Sequence, residues 1–277
     1  MSRAETRSLD DLLAMHDLLP AAWHAALRAG AFLRDERPAD LVIDTKSTPS
    51  DVVSAMDRDA EAMIIEDLLG ARPDDGLLGE EGGERPGTSG VRWVVDPLDG
   101  TVNYLHRLPM WGVSIAAEVD GRGEIGVVHV PEFAESYVAA RGRGAWLVRE
   151  GVGERLTGSD CPSLSAAIVA TGFGYAAQRR RRQAEVVTGL ITQVADVRRM
   201  GAAVVDFCWL ARGRVDAYYE AGLNPWDMAA GGLIAAEAGV VVSGLHDDDV
   251  AEFFVAAVPA IADDLRAALV RLRADEV

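Results

Sequence analysis

The sequence predicts a protein of the α/β or α+β class, with helices layered against sheet. Three observations carry that expectation. Helical patterns alternate with short apolar runs through the second half of the chain. Residues 111–148 read as strand after strand, with breaks at Gly121, Gly123, Gly142 and Gly144. The chain has 277 residues and is 49% hydrophobic, enough to bury a sizeable core.

Taken in order, residues 9–34 carry apolar side chains near helical spacing and predict one amphipathic helix, weakened at Pro20 and Gly30. Residues 35–50 are polar and end in Lys46-Ser47-Thr48-Pro49-Ser50, a loop by composition. Ser50 or Asp51 then caps a helix over 51–69, with Val52, Met56, Ile64 and Leu68 on one face. A turn at 72–76 leads to two apolar strands, 77–79 and 91–95. Each runs straight into an acid, Glu80 and Asp96. Residues 149–163 are polar and marked by Gly151, Gly153, Gly158 and Pro162. They are the expected seam between an N-terminal half, 1–150, and a C-terminal half, 151–277, of one compact unit. Beyond the seam the pattern predicts strands at 166–171, 214–219, 240–242 and 253–258. It predicts helices at 178–195, 202–211, 227–238 and 260–273. The run Arg179–Arg182 reads as the solvated start of a helix rather than an anion site.

Composition excludes several functions. Forty-four acidic against 27 basic residues give a net charge of −17, the wrong balance for a nucleic-acid binder. It suits an enzyme that gathers cations to handle a small anionic substrate. Apolar runs are too short to span a bilayer, so no membrane is expected. Met1-Ser2-Arg3-Ala4-Glu5 lacks the apolar core of a signal peptide, so a cytoplasmic protein is expected. Cys161 and Cys208 form no metal-binding pattern and read as reduced thiols. The five histidines lack ligand spacing, and His106 reads as structural or as part of a rim.

The chemistry concentrates in Trp93-Val94-Val95-Asp96-Pro97-Leu98-Asp99-Gly100-Thr101-Val102-Asn103-Tyr104. Two carboxylates sit three apart where an apolar strand ends. Gly100 permits a tight turn and close approach of a ligand, and Thr101 can open a helix. The Gly100 and Thr101 amides can then face an anion while Asp96 and Asp99 hold cations beside it. Oxygen-only ligands suit Mg²⁺ or Mn²⁺. Four more acids join this set: Glu80 and Glu81 at a strand end, Asp227 at a helix start, and Asp57 within a half-buried helix.

Together these segments resemble the inositol monophosphatase family of the Mg²⁺-dependent, lithium-sensitive phosphatases. The resemblance rests on DPxDGTxN, on Glu80-Glu81, on the 226–239 segment beginning Trp226-Asp227, and on Lys46-Ser47 followed by Asp51 and Asp57. It spans about residues 40 to 275. Thr171-Gly172-Phe173-Gly174-Tyr175 and Arg198-Arg199-Met200-Gly201-Ala202-Ala203 look like its bacterial branch. The chain departs in a shortened loop at 239–252, in Ser54 where Thr is common, and in Leu98 where Ile is usual.

The resemblance implies a layered αβαβα sandwich with its site between the halves. It implies two or three Mg²⁺ ions. Glu80, Asp96 and the Leu98 carbonyl would hold the first. Asp96, Asp99 and Asp227 would hold the second, and Glu80 would also serve a weaker third. Thr101 and Asp57 would orient and deprotonate the attacking water. Gly100 and Thr101 would hold the phosphate. Gly201, Ala202, Ala203, Glu220 and Arg198 would contact a small phosphorylated polyol, and Lys46, the sole lysine, and Glu81 would lie near the site. A homodimer is implied as well. The expected reaction is hydrolysis of myo-inositol 1-phosphate. Histidinol phosphate is the rival substrate, and fructose 1,6-bisphosphate and adenosine 3′,5′-bisphosphate are weaker ones. A non-catalytic binding or regulatory member is the alternative from another class. Thr101 with Asp57 argues against it, since holding cations needs no such pair.

Overall fold

The computed structural model describes residues 5–38, 43–45, 52–246 and 249–276, with 43–45 and 52–54 as backbone only. The first half of the chain runs β1 (Thr6–Ser8), α1 (Leu9–Leu13), α2 (Leu19–Asp35), β2 (Ile43–Thr45), β3 (Val52–Ser54) and α3 (Ala55–Ala71). It continues β4 (Gly76–Gly79), β5 (Gly83–Arg85), β6 (Val91–Asp99), α4 (Thr101–Leu105), β7 (Gly112–Val119), β8 (Arg122–Val130), β9 (Glu135–Ala140), β10 (Gly144–Arg149) and β11 (Val152–Arg155). The rest runs β12 (Ile168–Thr171), α5 (Ala177–Leu190), β13 (Asp196–Arg198), α6 (Ala203–Ala211), β14 (Ala217–Ala221), α7 (Pro225–Glu237), β15 (Val241–Ser243), β16 (Phe253–Ala257) and α8 (Ala262–Arg271).

Among the described residues, nine strands form one sheet in the order β1-β11-β10-β9-β8-β7-β6-β4-β5. Five form a second, in the order β13-β12-β14-β16-β15, and β2 pairs with β3 alone. Period-two alternation splits each sheet between two cores. In β6, Trp93 and Val95 face α2 and α3, whereas Val94 faces α6 and α7. In β14 and β16, Tyr219, Phe253 and Val255 pack with Val186 of α5 and Leu265 of α8. Their neighbours Tyr218 and Phe254 pack on Phe207 of α6. The layers are therefore α2/α3, nine-stranded sheet, α6/α7, five-stranded sheet, α5/α8. This is the αβαβα sandwich. No helix among the described residues is long and apolar enough to cross a membrane.

The middle layer explains α6. Its sequence, Ala-Val-Val-Asp-Phe-Cys-Trp-Leu-Ala, is apolar nearly all round because both its faces are buried. Asp206 is the exception.

Local patterning is corrected in four places. The helix expected over 9–34 is two helices, and residues 14–18 turn between them. Pro20 occupies the first turn of α2, where its missing N–H costs nothing, so it marks a start rather than a weakness. The expected helix at 51 begins at Ala55 instead. Val52-Val53-Ser54 forms β3 against β2, within what reads as loop and helix, because β-branched residues favour an extended chain. The helix expected to reach 195 stops at Leu190, and Asp196–Arg198 makes an edge strand on β12. Finally, β11 lies inside the polar stretch 149–163 and pairs with both β1 and β10.

Candidate active site

The acids converge because strand ends and helix starts converge. Strand β6 carries Asp96, Leu98 and Asp99. Its pairing with β7 slips between Asp96 and Asp99, which frees that segment from the regular ladder. Asp96 Oδ1 accepts the Leu98 amide at 3.0 Å, which closes the turn. Gly100 follows in the left-handed region at φ 90° and starts α4. A side chain there would also collide with the Met110 carbonyl and Ala202. Asp99 Oδ2 accepts the Val204 amide of α6 at 2.7 Å. Asp227, in the first turn of α7, accepts the Asn224 amide at 2.7 Å, an N-terminal cap that fixes its carboxylate. Glu80 follows β4, parallel neighbour of β6, and its amide donates to the Val95 carbonyl.

A cavity of about 890 Å³ opens where these ends meet. Glu80, Asp96, Leu98, Asp99, Gly100 and Thr101 line one side of it. Asp227, Glu220, Gly201, Ala202 and Ala203 line the other. Asp57 is buried behind Thr101, whose Oγ1 lies 3.3 Å from Asp57 Oδ2 and 3.0 Å from the Leu98 carbonyl. Carboxylate oxygens of Asp57, Glu80 and Glu81 come within 4.8 Å of one another. Most of the site residues expected from sequence thus share one cavity. Asp57 and Glu81 stand beside Glu80 without lining that cavity. Lys46 lies outside the described residues. Arg198 sits on edge strand β13, pairs with Asp196 at 2.6 Å, and does not line the cavity, which its neighbour Arg199 does. His106 lines the rim.

Electrostatics tests whether cations fit. Burial, then Glu80, Asp99 and Asp227, push the Asp96 carboxyl well above its ordinary range. Burial and Asp227 do the same to Asp99, against the Val204 amide. Asp227 rises to about 6, chiefly by burial. Glu220 rises to about 7 by burial, against the Tyr218 hydroxyl that donates to it at 2.5 Å. No basic side chain among the described residues pairs with Asp96, Asp99 or Asp227. A set of oxygen donors that repel one another and lack a protein counter-charge fits hard divalent cations.

Sequence reasoning missed Asp206, Arg179 and Arg180, all of which line the cavity. Asp206 is 2% exposed and its Oδ1 has no hydrogen-bond partner. Burial, then Glu220 and Asp99, push its carboxyl well up. The signal for it existed. It lies three residues beyond Ala203, on the same helix face, and breaks an apolar run. The reading of Arg179–Arg182 as a solvated helix start is corrected for its first two members. Helix α5 points that end at the cavity, while Arg182 turns away to Glu185 at 2.8 Å.

Comparison with known proteins agrees with this geometry. The pattern described as the inositol monophosphatase family matches residues 14–275. An inositol-1-monophosphatase, SuhB, of Mycobacterium tuberculosis is 41% identical over 271 residues, covering 92% of this chain and 93% of that protein. The Nus factor SuhB of Escherichia coli is 42% identical over 232 residues, covering 83% of this chain and 85% of that one. A crystal structure of the extragenic suppressor protein suhB from Bartonella henselae superposes with a TM-score of 0.85 at 35% identity. It covers 92% of this chain and 98% of its own.

Proposed function

The chain belongs to the inositol monophosphatase family, and from that premise we propose that it is a phosphomonoesterase that hydrolyses myo-inositol 1-phosphate to inositol and phosphate. The observation that carries the reading is Thr101 Oγ1 lying 3.3 Å from the buried Asp57 carboxylate, at the edge of the converging acids. A scaffold that only held cations would need no such pair.

Glu80, Asp96 and the Leu98 carbonyl are the proposed ligands of one Mg²⁺ or Mn²⁺, and Asp96, Asp99 and Asp227 those of a second. Glu80 would also serve a weaker third. Such cations, when bound, neutralise the phosphate and make water acidic enough to attack it. The chain's own residues do the rest. The single proton of the Thr101 hydroxyl is held between Asp57 and the Leu98 carbonyl. Its lone pairs therefore face the cavity, and a water there donates to Thr101 and is oriented by it. As that water attacks phosphorus, its proton passes through Thr101 to Asp57. The ester P–O bond breaks, and the departing alkoxide takes a proton from solvent. The Gly100 and Thr101 amides receive the phosphate oxygens. Glu220, Gly201, Ala202 and Ala203 bound the space for the polyol, with Glu220 as hydroxyl acceptor.

A second reading, a regulatory protein without turnover, is favoured by the name Nus factor that the Escherichia coli relative bears. One experiment separates the readings. Phosphate release is measured with Mg²⁺ and with EDTA from inositol 1-phosphate, histidinol phosphate, fructose 1,6-bisphosphate and adenosine 3′,5′-bisphosphate. Metal-dependent release with the highest kcat/KM on inositol 1-phosphate is expected. A maximum on histidinol phosphate would keep the mechanism and replace the substrate. Release from none would overturn the phosphatase reading in favour of the regulatory one.

A further inference from the structure

Glu61 is a buried acid with no part in the chemistry described so far. It is 4% exposed and stands on α3 one helical turn beyond the buried Asp57. One face of α3 thus delivers two carboxyls toward the site, yet Glu61 does not line the cavity. Its Oε1 instead accepts the Glu81 amide at 3.1 Å.

That amide belongs to the peptide unit joining Glu80 to Glu81. The bond therefore constrains ψ of Glu80 and φ of Glu81. Both acids ride on the hairpin between β4 and β5, beyond the register pair Gly79 and Gly83, and β5 is an edge strand of the nine-stranded sheet. A hairpin at a sheet edge has a paired neighbour on one side alone and shifts more readily than an interior strand. The Asp96, Asp99 and Asp227 carboxylates each accept a backbone amide. Glu80 is fixed through its backbone, by its own amide on the Val95 carbonyl and by Glu61 on the amide that follows.

The local sequence is shaped to admit Glu61. A side chain at Gly79 would collide with Glu61 Oε1, and one at Gly82 would crowd Oε2 at 3.0 Å. Neither glycine has a left-handed φ, so the turn itself does not demand glycine at either place. Beyond Glu61, the nearest atom to a side chain at Gly79 is Leu77 Cδ2 at 3.5 Å, an ordinary contact. The glycines that flank the acid pair make room for the carboxyl beneath it.

We propose that Glu61 is a positioning residue for cation binding, holding Glu80 in its ligating orientation through the Glu81 amide. The inference rests on the phosphatase reading above and on Glu80 as a cation ligand. Groups that orient a ligand from behind commonly govern metal affinity about as strongly as tenfold or more.

Binding of Mn²⁺ alone to the full-length protein, followed by electron paramagnetic resonance of the free ion, tests this without turnover. Glu61→Ala is expected to weaken binding by about tenfold. Glu61→Gln, whose amide oxygen can accept the same bond, keeps most of the affinity. Gly79→Ala drives the Glu61 carboxyl off the Glu81 amide, so it matches Glu61→Ala, and the double variant loses no more than either alone. Glu80→Gln weakens binding, and adding Glu61→Ala to it costs little more. With inositol 1-phosphate, Glu61→Ala raises the Mg²⁺ concentration needed for half-activation, while kcat at saturating Mg²⁺ changes far less. Circular dichroism confirms that each variant is folded. Wild-type affinity in Glu61→Ala, an equal loss in Glu61→Gln, or losses that add with Gly79→Ala or Glu80→Gln overturn the proposal. If the wild type releases no phosphate, the proposed function falls, and the Mn²⁺ affinities still decide the role of Glu61.

Discussion

The Val204 amide donates to Asp99 Oδ2 at 2.7 Å, joining a residue of the nine-stranded sheet to the helix in the middle layer. The bond fixes the Asp99 carboxylate and the start of α6 against each other. It therefore sets Ala202, Ala203 and Asp206 relative to the acids of β6. Removing charge at Asp99 while keeping its shape probes both roles at once.

Asp99→Asn retains an oxygen that can accept from Val204, so the fold should survive. The variant loses a proposed cation ligand, as does Asp227→Asn. Turnover on inositol 1-phosphate is expected to fall by more than about a hundredfold in each, with divalent-cation affinity reduced. Circular dichroism should be unchanged. Near-normal turnover in both variants would remove the ligand assignment.

Thr101→Ala separates chemistry from cation binding. It deletes the hydroxyl shared by Asp57 and the Leu98 carbonyl but leaves every proposed carboxylate ligand in place. The expected result is a kcat lower by about a hundredfold or more, with Mg²⁺ affinity nearly unchanged. Equal losses in both would assign Thr101 to the cation site instead.

Titration of the cation-free protein has a definite sign. Glu220 rises to about 7 and Asp227 to about 6 in the folded state, chiefly through burial. A raised carboxyl favours the folded state fully below its unfolded pKa, near 4, and that contribution is lost as pH rises through the folded value. In EDTA the melting temperature should therefore fall by on the order of a few degrees between pH 4.5 and 7.5. Saturating Mg²⁺ should flatten the slope, and a flat profile in EDTA would contradict the electrostatic account.

What sequence made legible, and what it hid, divides along one physical line. Asp96, Asp99, Glu80 and Asp227 stand where apolar strands end or helices begin, and such boundaries are written in local pattern. The layering was legible for the same reason, since unbroken apolar runs such as 253–257 declare two buried faces. Arg179 was not legible, because a basic run at a helix start looks the same whether that end meets solvent or a cavity. Arg198 and Arg199 are adjacent, and only the edge position of β13 turns one to Asp196 and the other to the cavity. Pro20 was misread because its cost depends on which turn of the helix it occupies.

Asp206 shows what a site residue costs the fold. It interrupts a helix buried on both faces, its Oδ1 is unpartnered, and Glu220 and Asp99 both raise its carboxyl. A raised carboxyl costs the fold stability that grows as pH climbs above the ordinary carboxylate range, a cost that an amide in its place does not bear. Asp206→Asn should therefore raise the melting temperature of the cation-free protein more at pH 8 than at pH 4.5. If the residue also faces substrate, the same variant should raise KM for inositol 1-phosphate more than it lowers kcat. Stabilisation equal at both pH values would mean that packing, not charge, governs this position.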